Sequence, residues 1–178
     1  FISGTGSNLK NLINFSKTKK SPISIDLIIS NTIKAKGLKF ANQYQIKKKI
    51  FNFKNIKTTE KKLFILLKKN KIKFICLAGF MKILSSKFIK QFNGKIINIH
   101  PSLLPRYKGL NTHSRAIQNK DKFSGCTVHY VTEKLDSGKI IMQKKIKILK
   151  KDTPSSLARK ILKQEHKIYP KAILKIFN

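Results

Sequence analysis

The sequence alternates short apolar runs with longer segments in which apolar and polar residues are mixed. This alternation is typical of βα units, which build an open, mostly parallel sheet with helices on both faces. We therefore predict a Rossmann-like α/β fold. The predicted strands are Phe1–Ser3, Ile23–Ile29, Lys49–Phe53, Lys73–Leu77, Lys95–Ile99, Thr127–Val131 and Ile140–Ile148.

Three segments between or after these strands carry apolar residues at helical spacing. The third segment follows Asp152-Thr153-Pro154, which pairs a capping residue with a proline suited to the first turn. Pro170 is expected to kink or split that helix, because proline lacks the amide hydrogen. The three apolar sets are Leu9, Leu12 and Ile13; Leu63, Leu66 and Leu67; and Leu157, Ile161 and Leu162.

Residues His100–Asn111 contain two prolines and a glycine but no periodicity, which predicts a long loop. Long loops in compact domains are often functional. No repeat or linker divides the chain, so we expect one domain over residues 1–178. The first predicted strand starts at Phe1 and is expected to be truncated at its amino end.

The chain is very basic, with 40 lysines and arginines against seven acidic residues and a net charge of +33. Such a charge favours nonspecific binding to polyanions. However, arginine, the better ligand for phosphates and base edges, occurs only at positions 106, 115 and 159. The lysines are scattered, and isoleucine and asparagine are abundant too. We therefore expect a solvated lysine surface and no specific nucleic-acid site.

Lysines interrupt every apolar run, so no segment approaches the roughly 20 apolar residues that a membrane-spanning helix needs. The amino-terminal residues do not resemble a secretion signal. Two cysteines are too few for a disulfide scaffold. A cytoplasmic location with Cys76 and Cys126 reduced is expected.

A glycine turn, Ser3-Gly4-Thr5-Gly6-Ser7-Asn8, joins the first predicted strand to the first predicted helix. Glycines allow close approach of the backbone to an anion, and a helix start supplies amide donors and a positive dipole end. A phosphate is the expected ligand. The turn lacks the third glycine of a dinucleotide fingerprint and the lysine of a P-loop, and such turns are as often structural.

Asn98 and His100 are two positions apart where a predicted strand ends, so their side chains share a face. The carboxyl ends of strands are where open α/β sheets bind ligands. An amide can donate to an oxyanion and an imidazole can move a proton, which suits attack at a carbonyl. The alternative is that both residues only cap the strand end, and spacing alone leaves both interpretations open.

Asp136 lies in a polar connection, Thr132–Gly138, between two predicted strands. A carboxylate beside an imidazole raises the imidazole pKa and fixes its orientation, whereas a plain turn aspartate is the structural alternative. The other histidines, at 113, 129 and 166, are interpreted as structural. No nucleophile motif occurs, and no histidine or cysteine spacing predicts a metal site.

Taken together and in this order, these motifs resemble the folate-dependent formyltransferases, and among them the phosphoribosylglycinamide formyltransferase family. The run from Asn98 is specific to folate-dependent formyl transfer, and the Gly-Ser-Asn turn to the glycinamide ribonucleotide branch. The matching runs are Ile2-Ser3-Gly4-Thr5-Gly6-Ser7-Asn8-Leu9, Leu77-Ala78-Gly79-Phe80-Met81-Lys82-Ile83-Leu84, Asn98-Ile99-His100-Pro101-Ser102-Leu103-Leu104-Pro105, Gly125 to Gly138, and Gln164-Glu165-His166.

The resemblance implies a formyltransferase fold and formyl transfer from 10-formyltetrahydrofolate to 5'-phosphoribosylglycinamide, without a metal, by a monomer or homodimer. Asn98 and His100 would stabilise the oxyanion, His100 as imidazolium, and Asp136 would keep His100 charged and relay protons. The implied residues are Asn98, His100 and Asp136 for catalysis; Gly6, Ser7, Asn8 and Glu165 for the substrate; and Met81, Lys82, Ile83, Leu84, Asn98 and the backbone around Asp136 for the folate.

One position departs from the family pattern. Where the family has a folate-contacting arginine after the third strand, this chain reads Lys54-Asn55-Ile56-Lys57. A lysine supplies a point charge but not a bidentate fork. Two alternatives to the implied function are a methionyl-tRNA formyltransferase-like enzyme and a non-catalytic polyanion-binding protein that keeps the fold; a formyltetrahydrofolate deformylase fits less well.

Overall fold

The computed structural model describes all residues from Phe1 to Asn178, and its strands alternate with helices as the α/β prediction requires. Contacts divide the chain into two compact units, Phe1–Ile97 and Asn98–Asn178. The single domain expected over 1–178 stays a prediction. The strands are β1 Leu27–Ser30, β2 Lys47–Ile50, β3 Phe74–Leu77, β4 Lys95–His100, β5 Phe123–Tyr130 and β6 Ile140–Lys147, and the helices are α1 Ser7–Ser16, α2 Lys39–Gln43, α3 Ile56–Lys69, α4 Ser86–Gln91, α5 Thr112–Gln118 and α6 Pro154–Phe177, with a 3₁₀ turn at Lys36–Leu38.

The first unit contains a parallel strand pair. β1 and β2 are in register from Leu27 opposite Lys47 to Ser30 opposite Ile50. Ile2 forms an isolated parallel bridge to Ser30, so the strand predicted at residues 1–3 is reduced to one bridging residue. The side chains of β2 are all exposed, and lysines on such a strand discourage pairing with another chain.

Helices α1 and α3 bury the apolar faces that their sequences predict. Leu12 and Ile13 of α1 are at most 2% exposed, as are Leu63 and Leu67 of α3. Asn55 caps α3 by accepting a hydrogen bond from the Thr58 amide. The energetic basis of both helices is burial of aliphatic surface, which yields roughly 25 cal/mol per Å² removed from water.

A buried carboxylate joins α3 to the start of α4. Glu60 is 7% exposed and accepts hydrogen bonds from both the amide and the hydroxyl of Ser85. Ser85 in turn caps α4 by accepting from the Phe88 amide. These bonds satisfy the buried carboxylate and fix the end of the segment that precedes α4.

The second unit is built on the antiparallel pair of β5 and β6, which is broken by a register shift at Val128 and His129. Strand order places β5 beside β4, whose last three residues belong to this unit. Helix α6 packs against β5, β6 and α5. Its residues Leu157, Ile161 and Tyr169 are fully buried in the core of the unit.

The predicted start of α6 is confirmed; of the two effects expected at Pro170, a split is wrong and a kink stays a prediction. Thr153 caps the helix in a capping box with Ser156, and Pro154 occupies the first turn. The helix then continues through Pro170 to Phe177. Proline removes one backbone hydrogen bond, but Tyr169 and Ile173 on either side of it are fully buried and stabilise both halves.

Several predicted strand ends are also wrong, for local reasons. β1 begins at Leu27 and not at Ile23, since the side chains of Ser21 and Ser24 hydrogen-bond within residues 21–26. β2 lies two to three residues earlier than predicted, because the chain turns at Asn52, whose side chain accepts from the Lys54 amide. β5 starts four residues earlier than predicted.

The predicted loop after His100 is confirmed and ends where α5 begins at Thr112. No lysine side chain is buried, in agreement with the expected solvated lysine surface. None of the helices combines the length and the apolar character needed to cross a bilayer. The cytoplasmic location stays a prediction.

Asp152 offers a test of how charge stabilises the start of α6. It accepts hydrogen bonds from the Leu149 amide, Ser156 and Lys160, and the Lys160 ammonium is the main cause that lowers its pKa from 3.8 to about 2. A depressed folded-state pKa contributes stability that is complete above the unfolded value and is lost as pH falls toward the folded value. We expect Asp152→Asn to destabilise the protein by up to about 1 kcal/mol at pH 7.

This difference should vanish in thermal melts as pH approaches 2. Asp26→Asn is the matched control, because Asp26 accepts only from the neighbouring Ser24 hydroxyl and is expected to have no effect at any pH. An unchanged Asp152→Asn effect from pH 7 down to pH 2 would contradict the assignment.

Candidate functional site

The glycine turn has the geometry of an anion-binding helix start. Gly6 has φ 76° and immediately precedes α1. A Cβ atom at this position would lie 2.5 Å from the Cα atom of Gly37, so glycine is required both by backbone conformation and by packing. The preceding Gly4 and Thr5 are exposed. Backbone amides at the amino end of α1 attract negative charge.

The segment Met81–Leu84 presents apolar side chains to solvent. Met81 is 63% and Ile83 66% exposed, whereas Leu84 is buried in the core. The Ser3 hydroxyl accepts a hydrogen bond from the Met81 amide at 2.7 Å and fixes the start of the segment. These two side chains offer apolar surface that a bound ligand can cover. Lys54 and Lys57 are both exposed.

The three predicted catalytic residues lie together in the second unit. Nδ1 of His100 is 3.4 Å from Oδ2 of Asp136. Asn98 and His100 are both on the last three residues of β4, and Asp136 comes from the connection between β5 and β6. If Asn98 and His100 only capped the strand end, there would be no reason for the Asp136 carboxylate, 36 positions after His100 in the chain, to lie against the His100 ring.

The Asp136 carboxylate is contacted on several sides. Its Oδ2 accepts from the Gly109 amide at 2.9 Å, and its Oδ1 is 3.6 Å from Nε2 of His129. Its side chain is only 8% exposed. Asp136 also has φ 45°, a left-handed conformation that costs a residue other than glycine about 1 kcal/mol or more. The surrounding contacts therefore outweigh this cost.

His129 belongs to the same cluster, although its position in the sequence predicted a structural role. Its Nδ1 lies 2.9 Å from the carbonyl oxygen of Tyr130, which only accepts, so Nδ1 carries the proton. In the neutral ring Nε2 then accepts from the Asn98 amide nitrogen at 3.3 Å. The only sequence signal was its place on a predicted strand near Asn98 and Asp136.

A backbone carbonyl fixes the tautomer of His100 in the same way. Nε2 of His100 is 2.9 Å from the carbonyl oxygen of Tyr107 and must donate its proton there. Nδ1 is therefore the nitrogen that faces Asp136. When the ring is neutral, Nδ1 has a free lone pair, and a proton arriving on it would be shared with the carboxylate.

The charges of the two partners follow from burial and contacts. Burial is the largest influence on His100 and lowers its pKa below 6.5, although the Tyr107 carbonyl and Asp136 oppose this. Because both ring nitrogens of His100 face acceptors, the Tyr107 carbonyl and the Asp136 carboxylate, the imidazolium expected from the resemblance stays a prediction. Burial raises the pKa of Asp136, but the His129 ring, the hydrogen bond from the Gly109 amide and the His100 ring lower it overall.

The predicted substrate acid Glu165 lies on the inner face of α6 and is 7% exposed. Burial and, secondly, the charge of Glu165 raise the pKa of the Cys126 thiol to about 12. This cysteine stays protonated near pH 7 and is no nucleophile. No three His, Cys, Asp or Glu side chains are arranged to hold a metal ion.

An amide, an imidazole and a carboxylate that meet at the carboxyl end of a strand are typical of group-transfer enzymes of the α/β class. The formyl transferase family matches residues 1–173, and the chain belongs to this family. The predicted α/β formyltransferase fold is thereby confirmed.

Within this family, the chain is similar to proteins of purine biosynthesis. The chain is 42% identical to phosphoribosylglycinamide formyltransferase of Haemophilus influenzae, over 97% of this chain and 82% of that protein. It is 41% identical to the human trifunctional purine biosynthetic protein adenosine-3, over 97% of this chain but only 17% of the human protein. The crystal structure of phosphoribosylglycinamide formyltransferase from Brucella melitensis superposes with a TM-score of 0.93 at 41% identity, covering 99% of this chain and 92% of that one.

Gly6 provides a direct test of the glycine turn. An alanine there must adopt a left-handed φ and place its Cβ against the Gly37 backbone. We expect Gly6→Ala to reduce the free energy of unfolding by about 3 kcal/mol, the sum of backbone strain and overpacking. Denaturant unfolding measures this change.

Gly4→Ala is the matched control, since nothing lies within 4 Å of the added Cβ. It should change stability by less than about 0.5 kcal/mol. Equal stability of the two variants would show that the turn is not constrained as described.

Proposed function

We propose that this protein transfers the formyl group of 10-formyltetrahydrofolate to the amine of 5'-phosphoribosylglycinamide. The observation that carries the proposal is the meeting of His100 Nδ1 and Asp136 Oδ2 at 3.4 Å beside Asn98. Asn98 and His100 come from the end of β4 and Asp136 from the β5–β6 connection, and His129 lies between Asn98 and Asp136 at 3.3 and 3.6 Å. The relatives from Haemophilus influenzae and Brucella melitensis are both named phosphoribosylglycinamide formyltransferase, and this name supports the proposed reaction.

Substrate binding is proposed at three places that are described separately. The substrate phosphate binds at the turn of Gly6, Ser7 and Asn8, because the start of α1 favours an anion. The exposed side chains of Met81 and Ile83 contact the apolar part of the folate, with the backbone around Lys82 and Leu84 alongside. Glu165 contacts the amino substrate. Because Glu165 is only 7% exposed, this contact requires that the substrate reaches a nearly buried side chain.

The transfer proceeds by direct attack, without a covalent enzyme intermediate. The substrate amine attacks the formyl carbon, and the carbonyl electrons move to oxygen. Asn98 donates an amide hydrogen to that oxyanion, while its contact with His129 keeps the amide oriented. Positioning of the two reactants by their binding sites supplies much of the rate enhancement.

A proton must leave the attacking nitrogen and reach the folate nitrogen that departs. The Asp136 carboxylate beside His100 relays this proton, directly or through water. His100 as imidazolium stabilises the oxyanion, and the adjacent Asp136 carboxylate keeps the ring charged. The proton is then returned to the leaving nitrogen as the carbon–nitrogen bond breaks, giving the formylated amine and tetrahydrofolate.

We expect His100→Ala and Asp136→Asn to be folded but to lose activity about 10²- to 10³-fold, as is typical when one stabilising group of a transition state is removed. The measurement is consumption of 10-formyltetrahydrofolate, followed spectrophotometrically with and without 5'-phosphoribosylglycinamide. Asp26→Asn is the matched control for the aspartate change and should keep full activity. Wild-type turnover in either site variant would refute the catalytic roles.

The same assay separates the alternatives. Consumption that needs initiator methionyl-tRNA would indicate the tRNA enzyme, and consumption with water alone a deformylase. No consumption, with RNA binding that collapses as salt is raised, would indicate a polyanion-binding protein. A requirement for the glycinamide ribonucleotide supports the proposed function.

A further inference from the structure

Tyr107, next to the proposed catalytic pair, is held by an unusual number of side-chain contacts. Its hydroxyl donates to Oδ2 of Asp121 at 2.7 Å and accepts from Nδ2 of Asn119 at 2.8 Å. Arg106 donates both to this hydroxyl, at 3.2 Å, and to Oδ1 of Asp121, at 2.7 Å. The Asp121 side chain is only 9% exposed, so these bonds are partly shielded from water.

Two arginines also lie against the aromatic ring of Tyr107. The guanidinium carbon of Arg106 is 5.2 Å and that of Arg115 5.0 Å from the ring centroid. Arg115 additionally donates to the carbonyl oxygen of Lys108 at 2.8 Å. A planar guanidinium stacks on a ring and bonds several acceptors at once, which a lysine does not do.

The composition of the chain makes this arrangement informative. Of 40 basic residues only three are arginine, and two of the three contact Tyr107. Elsewhere in the chain lysine serves almost every basic position. The contacts around Tyr107 are thus a place where the specific geometry of arginine is used.

The backbone of Tyr107 shows what these contacts achieve. Its φ of 55° is left-handed, a conformation disfavoured for a bulky residue. In that conformation its carbonyl oxygen meets Nε2 of His100 at 2.9 Å. Two residues later, the Gly109 amide donates to Asp136 at 2.9 Å. One short loop segment therefore contacts both members of the proposed catalytic pair.

We propose that Tyr107 is a positioning residue: its side chain, clamped by Asp121, Arg106 and Arg115, holds its carbonyl on His100 Nε2 so that Nδ1 faces Asp136. This inference rests on the proposed function for its meaning in catalysis. The orientation of the His100 ring, however, is a property of the protein without substrate and is measured separately.

The test uses the full chain with ¹⁵N-labelled histidine, and His100 is assigned by the signal lost in His100→Ala. In the wild type we expect the neutral ring to carry its proton on Nε2. Tyr107→Phe removes the hydroxyl bonds but keeps the ring. It should mix the two tautomers and lower the pKa of His100 further, because the Tyr107 carbonyl is one of the contacts that raise it.

Other charged groups also act on His100, and they stay in place in this variant. They are Asp136 from the β5–β6 connection, His129 from β5, and His113 and Arg115 from α5. Tyr44→Phe is the matched control, since Tyr44 also has a hydroxyl hydrogen bond, to Asn14, and a cation over its ring, from Lys17. It should leave the His100 signals unchanged.

Kinetics supply a second readout. Tyr107→Phe should lower kcat about tenfold, the approximate worth of one lost hydrogen bond, with KM for both substrates within about twofold. Should Tyr107→Phe fail to fold, Asp121→Asn and the milder Arg106→Lys, at a 59% exposed side chain, test the same clamp and should shift the tautomer in the same direction.

The wild-type tautomer and pKa of His100 in all folded clamp variants would overturn the inference, whatever the activity. If the wild type has no formyl transfer with the proposed substrates, the proposed function fails, but the histidine signals still decide whether Tyr107 positions His100.

Discussion

The arrangement of the second unit depends on one constraint, the nearly complete burial of the Asp136 carboxylate. A buried ionised carboxylate is costly unless donors surround it. Here the Gly109 amide donates to it, two imidazole rings lie 3.4 and 3.6 Å from it, and the left-handed backbone at Asp136 brings the carboxylate within reach of all three. The loop after β4, the strand β5 and the connection to β6 must therefore meet at this point.

Backbone carbonyls govern the chemistry of the two histidines. The carbonyl oxygens of Tyr107 and Tyr130 can only accept, so each fixes a proton on the nitrogen it faces. The opposite nitrogens are turned toward Asp136. In this way the main chain sets the tautomers, while burial lowers the pKa of His100 and the neighbouring carboxylate raises it. A histidine that lies beside a carboxylate is suited to hold a proton and to pass it on.

The strongly biased composition has left this framework intact. The lysines are at the surface, where their charge is solvated, while isoleucine fills many of the buried positions of both units. Asp136 and Glu60 are among only seven acidic residues, and each is buried and hydrogen-bonded. Arginine is kept in place of lysine where its planar geometry is needed, as at Arg106 and Arg115 beside Tyr107.

The sequence by itself determined the α/β class, the helices α1, α3 and α6, the loop after His100 and the residues of the proposed catalytic trio. These depend on periodicity, capping and short motifs, which are local properties. Strand ends were missed where serine side chains compete with strand pairing, and the continuity of α6 was missed because burial of Tyr169 and Ile173 outweighs one lost hydrogen bond. Only the tertiary structure decided that His129 joins the cluster, that His100 is buried, and that Tyr107 contacts it. Burial, tautomer and contacts between distant residues are properties of the folded chain, and no local pattern encodes them.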